Sequence, residues 1–200
     1  MDLILNLENK RKSLEVEKLF LKNTFNITNI QFDLLNHLVH KLNSNNILEI
    51  GTSNGYYLLS IILAVVKKKK NQRVYINSVE VNEQRFKLAQ NLIEDLNLEN
   101  CNIKVNLIND NIYSDTCIEI LKQSAPFDLI FIDCNQEEFQ TLLHFIIQSE
   151  VIEKNTSLIF DNILSHEQSF TFYKSTNFEQ LGFRATLFPI HHGFLHLVKI

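Results

Sequence analysis

Ile47-Leu48-Glu49-Ile50-Gly51-Thr52-Ser53-Asn54-Gly55-Tyr56 opens as a short β-rich run, breaks at Gly51, and passes through a second glycine, Gly55, into an apolar helical stretch. Strand, turn and helix in that order are the first half of a parallel crossover unit. The chain has only 4 glycines in 200 residues, so two in one turn mark a place where the backbone bends sharply or meets a neighbour closely. On its own the turn is ambiguous, because glycines also join strands to helices for purely structural reasons.

Downstream the pattern repeats. Strands are predicted at 46–50, 74–80, 103–109, 127–133 and 157–161, with helices at 56–68, 83–96, 114–124 and 137–150 and another after His166. Such alternation predicts a doubly wound α/β fold whose mainly parallel sheet is covered on both faces. The tail differs: Phe183 to Phe188 and Phe194 to Ile200 read as strands separated only by Pro189-Ile190-His191-His192-Gly193. So short a link excludes a parallel crossover and implies an antiparallel hairpin, which brings the sheet to seven strands. Upstream, Ile30, Leu34, Leu35, Leu38, Val39 and Leu42 recur at helical spacing and stop at Asn43-Ser44-Asn45; a weaker helix carries Leu14, Leu19 and Phe20. A chain of this length suits one domain over 1–200, with a helical segment at 1–44 and an α/β core at 46–200.

Composition narrows the partners. A net charge of -4 gives no electrostatic footprint for a polyanion, so nucleic acid is not expected. The basic run Lys67 to Lys70 follows a helical stretch, where cations favour the negative end of the dipole. Cys101, Cys117 and Cys134 form an odd set without paired metal spacing, which points to a reducing compartment and not to a disulfide framework or a zinc site. Asp2, Glu8, Lys10, Arg11 and Lys12 leave no early apolar stretch fit for a signal peptide or membrane span. A soluble, cytoplasmic protein without a membrane partner is expected.

Open α/β sheets bind ligands at the carboxyl ends of their strands, and here each strand ends in a polar group. Glu80 stands where an acid accepts from both hydroxyls of a ribose, and Asp110, in Asn109-Asp110-Asn111, where one accepts from an exocyclic amine of adenine. Strand-end acids also serve as solvated or capping groups. Asp133, Asp161 and Asn162 offer three oxygen donors, the chemistry of Mg²⁺, Mn²⁺ or Ca²⁺; alternatively Asp133 caps the helix near Glu137 and Asp161-Asn162 is a turn.

Leu48 to Tyr56, then Val79-Glu80, then Phe127-Asp128-Leu129-Ile130-Phe131-Ile132-Asp133, then Asp161-Asn162-Ile163-Leu164-Ser165-His166 form an ordered series. Together with the closing hairpin it resembles the metal-dependent O-methyltransferases, the catechol and caffeoyl-coenzyme A type of class I S-adenosylmethionine-dependent methyltransferase, which have a Rossmann-like fold. The resemblance implies that Glu49 and the loop of Gly51, Thr52, Ser53, Gly55 and Tyr56 hold the amino acid part of S-adenosylmethionine. It implies further that Glu80 takes the ribose, that Asp110 lies by the adenine, and that Asp133 borders the cofactor. Asp133, Asp161 and Asn162 would bind a divalent cation, usually Mg²⁺. The implied reaction carries a methyl group to a hydroxyl of a small, catechol-like aromatic acceptor. Relatives commonly form homodimers, although no interface is legible here.

Two residues depart from that pattern. Tyr57 replaces a small hydroxyl residue after the aromatic of the loop, and Gln136 stands where the family has a lysine acting as catalytic base. Gln136 takes no proton at neutral pH, so the cation alone ionises the acceptor, or another base such as His166 serves, or turnover is lost. His191 and His192 read as turn residues. The rival functions are a non-catalytic S-adenosylmethionine-binding protein that acts through a partner and a metal-independent methyltransferase.

Overall fold

Five parallel strands carry the alternation read from the sequence. The computed structural model describes residues 3–20, 29–68, 72–96, 98 and 101–200. Its strands are β1 (Asn46–Ile50), β2 (Val74–Val79), β3 (Ile103–Ile108), β4 (Phe127–Ile132), β5 (Ile152–Phe160), β6 (Phe183–Phe188) and β7 (Phe194–Lys199). They form one seven-stranded sheet in the order β3-β2-β1-β4-β5-β7-β6. β1 to β5 pair in parallel, while β7 runs antiparallel to both β5 and β6, as the short link predicts. The order reverses between β1 and β4, and the crevice above such a switch point is where this class of sheet takes its ligands.

The helices are α1 (Leu3–Phe20), α2 (Asn29–Leu42), α3 (Tyr56–Lys68), α4 (Glu83–Leu96), α5 (Asp115–Ser124), α6 (Phe139–Gln148) and α7 (Glu167–Ser175). Alternate strand residues feed two cores. Ile47, Ile76, Leu129, Phe131 and Ile159 join α1, α2 and α3 on one face; Leu48, Ile130, Ile132, Leu158 and Phe160 pack with α5, α6 and α7 on the other. Every residue from Tyr56 to Val65 is buried, since α1 and α2 cover the side of α3 that the sheet does not. A helix apolar all round belongs in such a place. Arg11 anchors α1 over the Phe32 ring, 4.4 Å from its centroid, and pairs with Asp33 at 3.0 Å.

Three readings need correction. Ile30 is 54% exposed, because α2 turns Gln31 and Phe32 inward in its place. β5 begins at Ile152 and not at 157; its first half, Glu153-Lys154-Asn155, is exposed and carries no apolar alternation to read. Glu80, Asn109, Asp133 and Asp161 lie one residue beyond their strands, in the loops. The side chains of Leu19, Phe20 and Lys68, and residues Lys69 and Lys70 of the basic run, lie outside the described residues; Lys67 pairs with Glu8 at 3.2 Å. Among the described residues, no helix is long and apolar enough to cross a membrane.

Candidate functional site

The parallel ladder sets the polar residues side by side. Beyond the strand ends, Gly51 N–H donates to Val79 O (2.9 Å), Glu80 N–H to Ile108 O (3.0 Å), Asp133 N–H to Ile50 O (2.9 Å) and Asp161 N–H to Ile132 O (2.9 Å). Gly51, Glu80, Asp133 and Asp161 therefore sit at one end of the sheet, across the switch point. Two clefts, of about 320 and 750 Å³, lie towards the other end of the strands, and neither is lined by these acids.

Both loop glycines adopt positive φ, +98° at Gly51 and +87° at Gly55. The space a Cβ would take is filled by protein: at Gly51 it would lie 2.0 Å from the Asp133 carbonyl oxygen, and at Gly55 2.7 Å from a Leu92 methyl. Packing of the loop on β4 and α4 thus requires these glycines. Thr52 and Tyr56 also turn inward: the Tyr56 ring is buried with its centroid 4.8 Å from that of Phe32, so its side chain serves the core.

Glu49 is wholly buried in β1. Ser78 donates its hydroxyl proton to Glu49 Oε2, so the Thr52 hydroxyl, in contact with Ser78 Oγ, donates to Ser78. Among the described residues, Glu49 Oε1 has no partner. Burial above all raises this carboxyl to about 8, opposed by the Ser78 bond and reinforced by the charges of Asp133 and Glu80. An unfolded glutamate titrates near 4.3, so folding binds a proton between roughly pH 4.3 and 8. The stability this contributes is complete at the acid end of that window and is lost as pH rises through 8. Glu49→Gln, which keeps the neutral shape, should therefore outlast the wild type in thermal unfolding at about pH 9, with a shallower decline from about pH 6. Equal slopes for the two proteins would contradict the assignment.

Glu80 closes the loop from below. Its Oε2 accepts from Ser53 N–H (2.7 Å) and its Oε1 from Asn82 N–H (2.8 Å), which leaves a lone pair on each oxygen for a vicinal diol. Asp110 is half-buried; it accepts from its neighbour Asn111 N–H (2.7 Å) and from Ser114 Oγ (2.6 Å). An orphaned buried carboxyl oxygen near an acid free to take two hydroxyls suits a ligand that carries both an ammonium and a ribose. These residues fit S-adenosylmethionine.

The divalent cation fits less well. Asp161 is fully buried, with Oδ1 accepting from Gln31 Nε2 (2.6 Å) and Asn162 N–H (2.6 Å) and Oδ2 from the Tyr57 hydroxyl (2.7 Å). Asn162, at φ +61°, turns its amide N–H to Asp133 Oδ1 (3.0 Å), offering that carboxylate a donor. Burial and then the Asp133 charge hold the Asp161 carboxyl well above the usual range, against the pull of its three donors. Burial and the Asp161 charge likewise raise Tyr57 far above an ordinary phenol. Asp133, Asp161 and Asn162 are brought together as the sequence suggests, but they do not converge as three open oxygen donors. Among the described residues, no group of three or more His, Cys, Asp or Glu side chains is placed to hold a metal. Tyr57→Phe, which leaves a buried carboxyl oxygen short of one donor, should cost about 1–3 kcal/mol in urea unfolding; no loss would show the bond to be idle.

Gln136 opens a 3₁₀ turn, Gln136–Glu138, capped by the Asn135 side chain, which accepts from Glu137 N–H. His166 is the exposed N-cap of α7. The hairpin turn reaches this end of the sheet as well: Leu164 N–H donates to His192 O (2.7 Å) and Ile163 N–H to Gly193 O (3.2 Å), with the His191 and His192 rings 3.9 Å apart. Sequence reasoning missed Gln31 and Ser78. Gln31 interrupts the buried face of α2 beside Phe32, and a polar residue in an apolar stripe is the signal that marks it.

Comparison with known proteins places the chain. The sequence profile of a family described as O-methyltransferase matches residues 6–175. Among solved structures, an O-methyltransferase from Bacillus cereus in complex with SAH is 18% identical, with a TM-score of 0.70, over 100% of this chain and 92% of that one. The O-methyltransferase TomG of Streptomyces achromogenes, involved in tomaymycin synthesis and in complex with SAM, is 15% identical with a TM-score of 0.66, over 100% and 90%. An SAH-bound methyltransferase from Podospora anserina is 15% identical with a TM-score of 0.72, over 98% and 87%.

Proposed function

The chain belongs to the O-methyltransferase family, and from that premise we propose that it transfers the methyl group of S-adenosylmethionine to a hydroxyl of a small aromatic acceptor. The observation that carries this reading is the row at the strand ends, where Glu49 keeps an unpartnered oxygen and Glu80 keeps a lone pair on each oxygen. SAM or SAH in structural neighbours that span nearly the whole chain supports the same cofactor.

Bound there, S-adenosylmethionine supplies an electrophilic sulfonium methyl that mainly needs alignment. Glu49 faces the ammonium and balances its charge once ionised. Glu80 accepts from the ribose hydroxyls and, through Ser53, ties them to the loop. Asp110 accepts from the adenine amine, and Asp133 borders the cofactor. Gln136 moves no proton. The arrangement of Asp161 gives no support to the expected Mg²⁺.

The reaction partner is a small molecule, and the odd, unpaired cysteines support a cytoplasmic setting. A membrane or nucleic acid partner has no support in the charge distribution, and a homodimer is retained as part of the proposal. Gln136 favours a second reading, in which the protein binds the cofactor without turnover. An assay of methyl transfer to a panel of catechols and phenols, with and without Mg²⁺, decides between them: product supports the enzyme, and tight cofactor binding without any product supports the binding protein.

A further inference from the structure

We propose that Asp161 is a hydrogen-bond hub in this chain and not a metal ligand, so that methyl transfer runs without a divalent ion and is confined to acceptors whose hydroxyl is already ionised near neutral pH. The acceptor clause rests on the methyl-transfer reading above; the metal clause stands on geometry alone.

The donors to Asp161 come from three places: Gln31 on α2, Tyr57 on α3 and the backbone of Asn162 after β5. They occupy both lone pairs of Oδ1 and one of Oδ2. None can step aside cheaply. Gln31 is fully buried in a helix, and the Tyr57 ring is buried edge-on against Phe131, 4.9 Å between centroids, with Tyr56 at 5.9 Å. The one lone pair left, on Oδ2, belongs to a carboxylate without solvent exposure, and an ion that took more of Asp161 than that would displace a donor and strand it in the core, where an unmet donor is costly. Asn162 is engaged with the same acid, its side-chain amide donating to Asp133 Oδ1 (3.0 Å). A hard ion that needs several oxygen ligands finds few here, the half-buried carboxylate of Asp133 and that single lone pair of Asp161.

Gln136 takes no proton, and the other base the sequence offers, His166, is exposed at the start of α7, so the mechanism gives the acceptor no base. The acceptor must then arrive as its oxyanion. That oxyanion forms the O–CH₃ bond with its own lone pair while the S–CH₃ pair stays on sulfur, so that one negative and one positive charge cancel and no proton is released. An ordinary phenol, with a pKa of about 10, is ionised to the order of one part in a thousand at pH 7, whereas a hydroxyl with a pKa near 7 is half ionised. Phenols that carry an electron-withdrawing group, or enols of comparable acidity, are the class this selects.

Two measurements on the purified full chain test the proposal. The first is titration with Mn²⁺ followed by electron paramagnetic resonance, with and without SAH. The expected result is no stoichiometric binding; one Mn²⁺ per chain that disappears in Asp161→Ala would overturn the metal clause. The second compares 4-nitrophenol with phenol as acceptors in excess chelator, where ionisation alone favours the former by roughly 100-fold or more at neutral pH, with the phenol rate rising about tenfold per pH unit. Equal rates, a need for added metal, or turnover of neither by protein that binds S-adenosylmethionine would overturn the acceptor clause. Failure to bind S-adenosylmethionine in calorimetry would instead count against the methyl-transfer reading itself.

Discussion

Gly51→Ala is expected to be the most damaging single change in the loop. A Cβ there lies 2.0 Å from the Asp133 carbonyl oxygen, a backbone atom of the neighbouring strand end, and the residue holds φ at +98°. Backbone strain and overpacking each cost about 1–3 kcal/mol, so a loss of roughly 2–6 kcal/mol follows, or a fall of about 4–24 °C in Tm for a domain of this size. Gly182→Ala is the control. It shares the positive φ, at +80°, but its Cβ meets only the far end of the Lys199 side chain, which can swing away. It should cost about 1 kcal/mol, close to the strain alone. Equal losses in the two variants, read by thermal unfolding, would show that the contact with Asp133 is not what demands glycine.

Glu80→Ala should weaken S-adenosylmethionine binding more than any other change at the strand ends. It removes the acceptor for the ribose hydroxyls and also leaves the Ser53 and Asn82 amides without their partner. A ribose hydroxyl left without its partner costs about 1–3 kcal/mol, so the dissociation constant should rise by roughly 10- to 100-fold. Asp110→Ala, at a half-buried position, should cost less. Calorimetric affinity unchanged in Glu80→Ala would remove this carboxylate from the cofactor site.

The alternation of strands with amphipathic helices made the sheet legible, because parallel strands buried on both faces read as continuous apolar runs such as Leu129 to Ile132. The hairpin was legible from the length of its turn. The first half of β5 was not, since Glu153, Lys154 and Asn155 point to solvent. The strand-end acids were legible as a row because ligands of an open α/β sheet bind at that end of the strands, whereas what the acids touch was not. Tyr57 is visible in the sequence as a departure from the family, but only the fold shows it pointing at Asp161. Gln31 lies 130 residues from that carboxylate and meets it through tertiary packing, which no local spacing encodes. Glycine at 51 and 55 marks a sharp bend or a close neighbour in the sequence; the fold supplies the neighbours, Asp133 after β4 and Leu92 on α4.

Calorimetric titration of the folded wild-type chain with S-adenosylmethionine and with SAH tests the central claim most directly. One site per chain with a dissociation constant of about micromolar strength is predicted for both; a folded protein that takes up neither would contradict the assignment of the strand-end site to this cofactor.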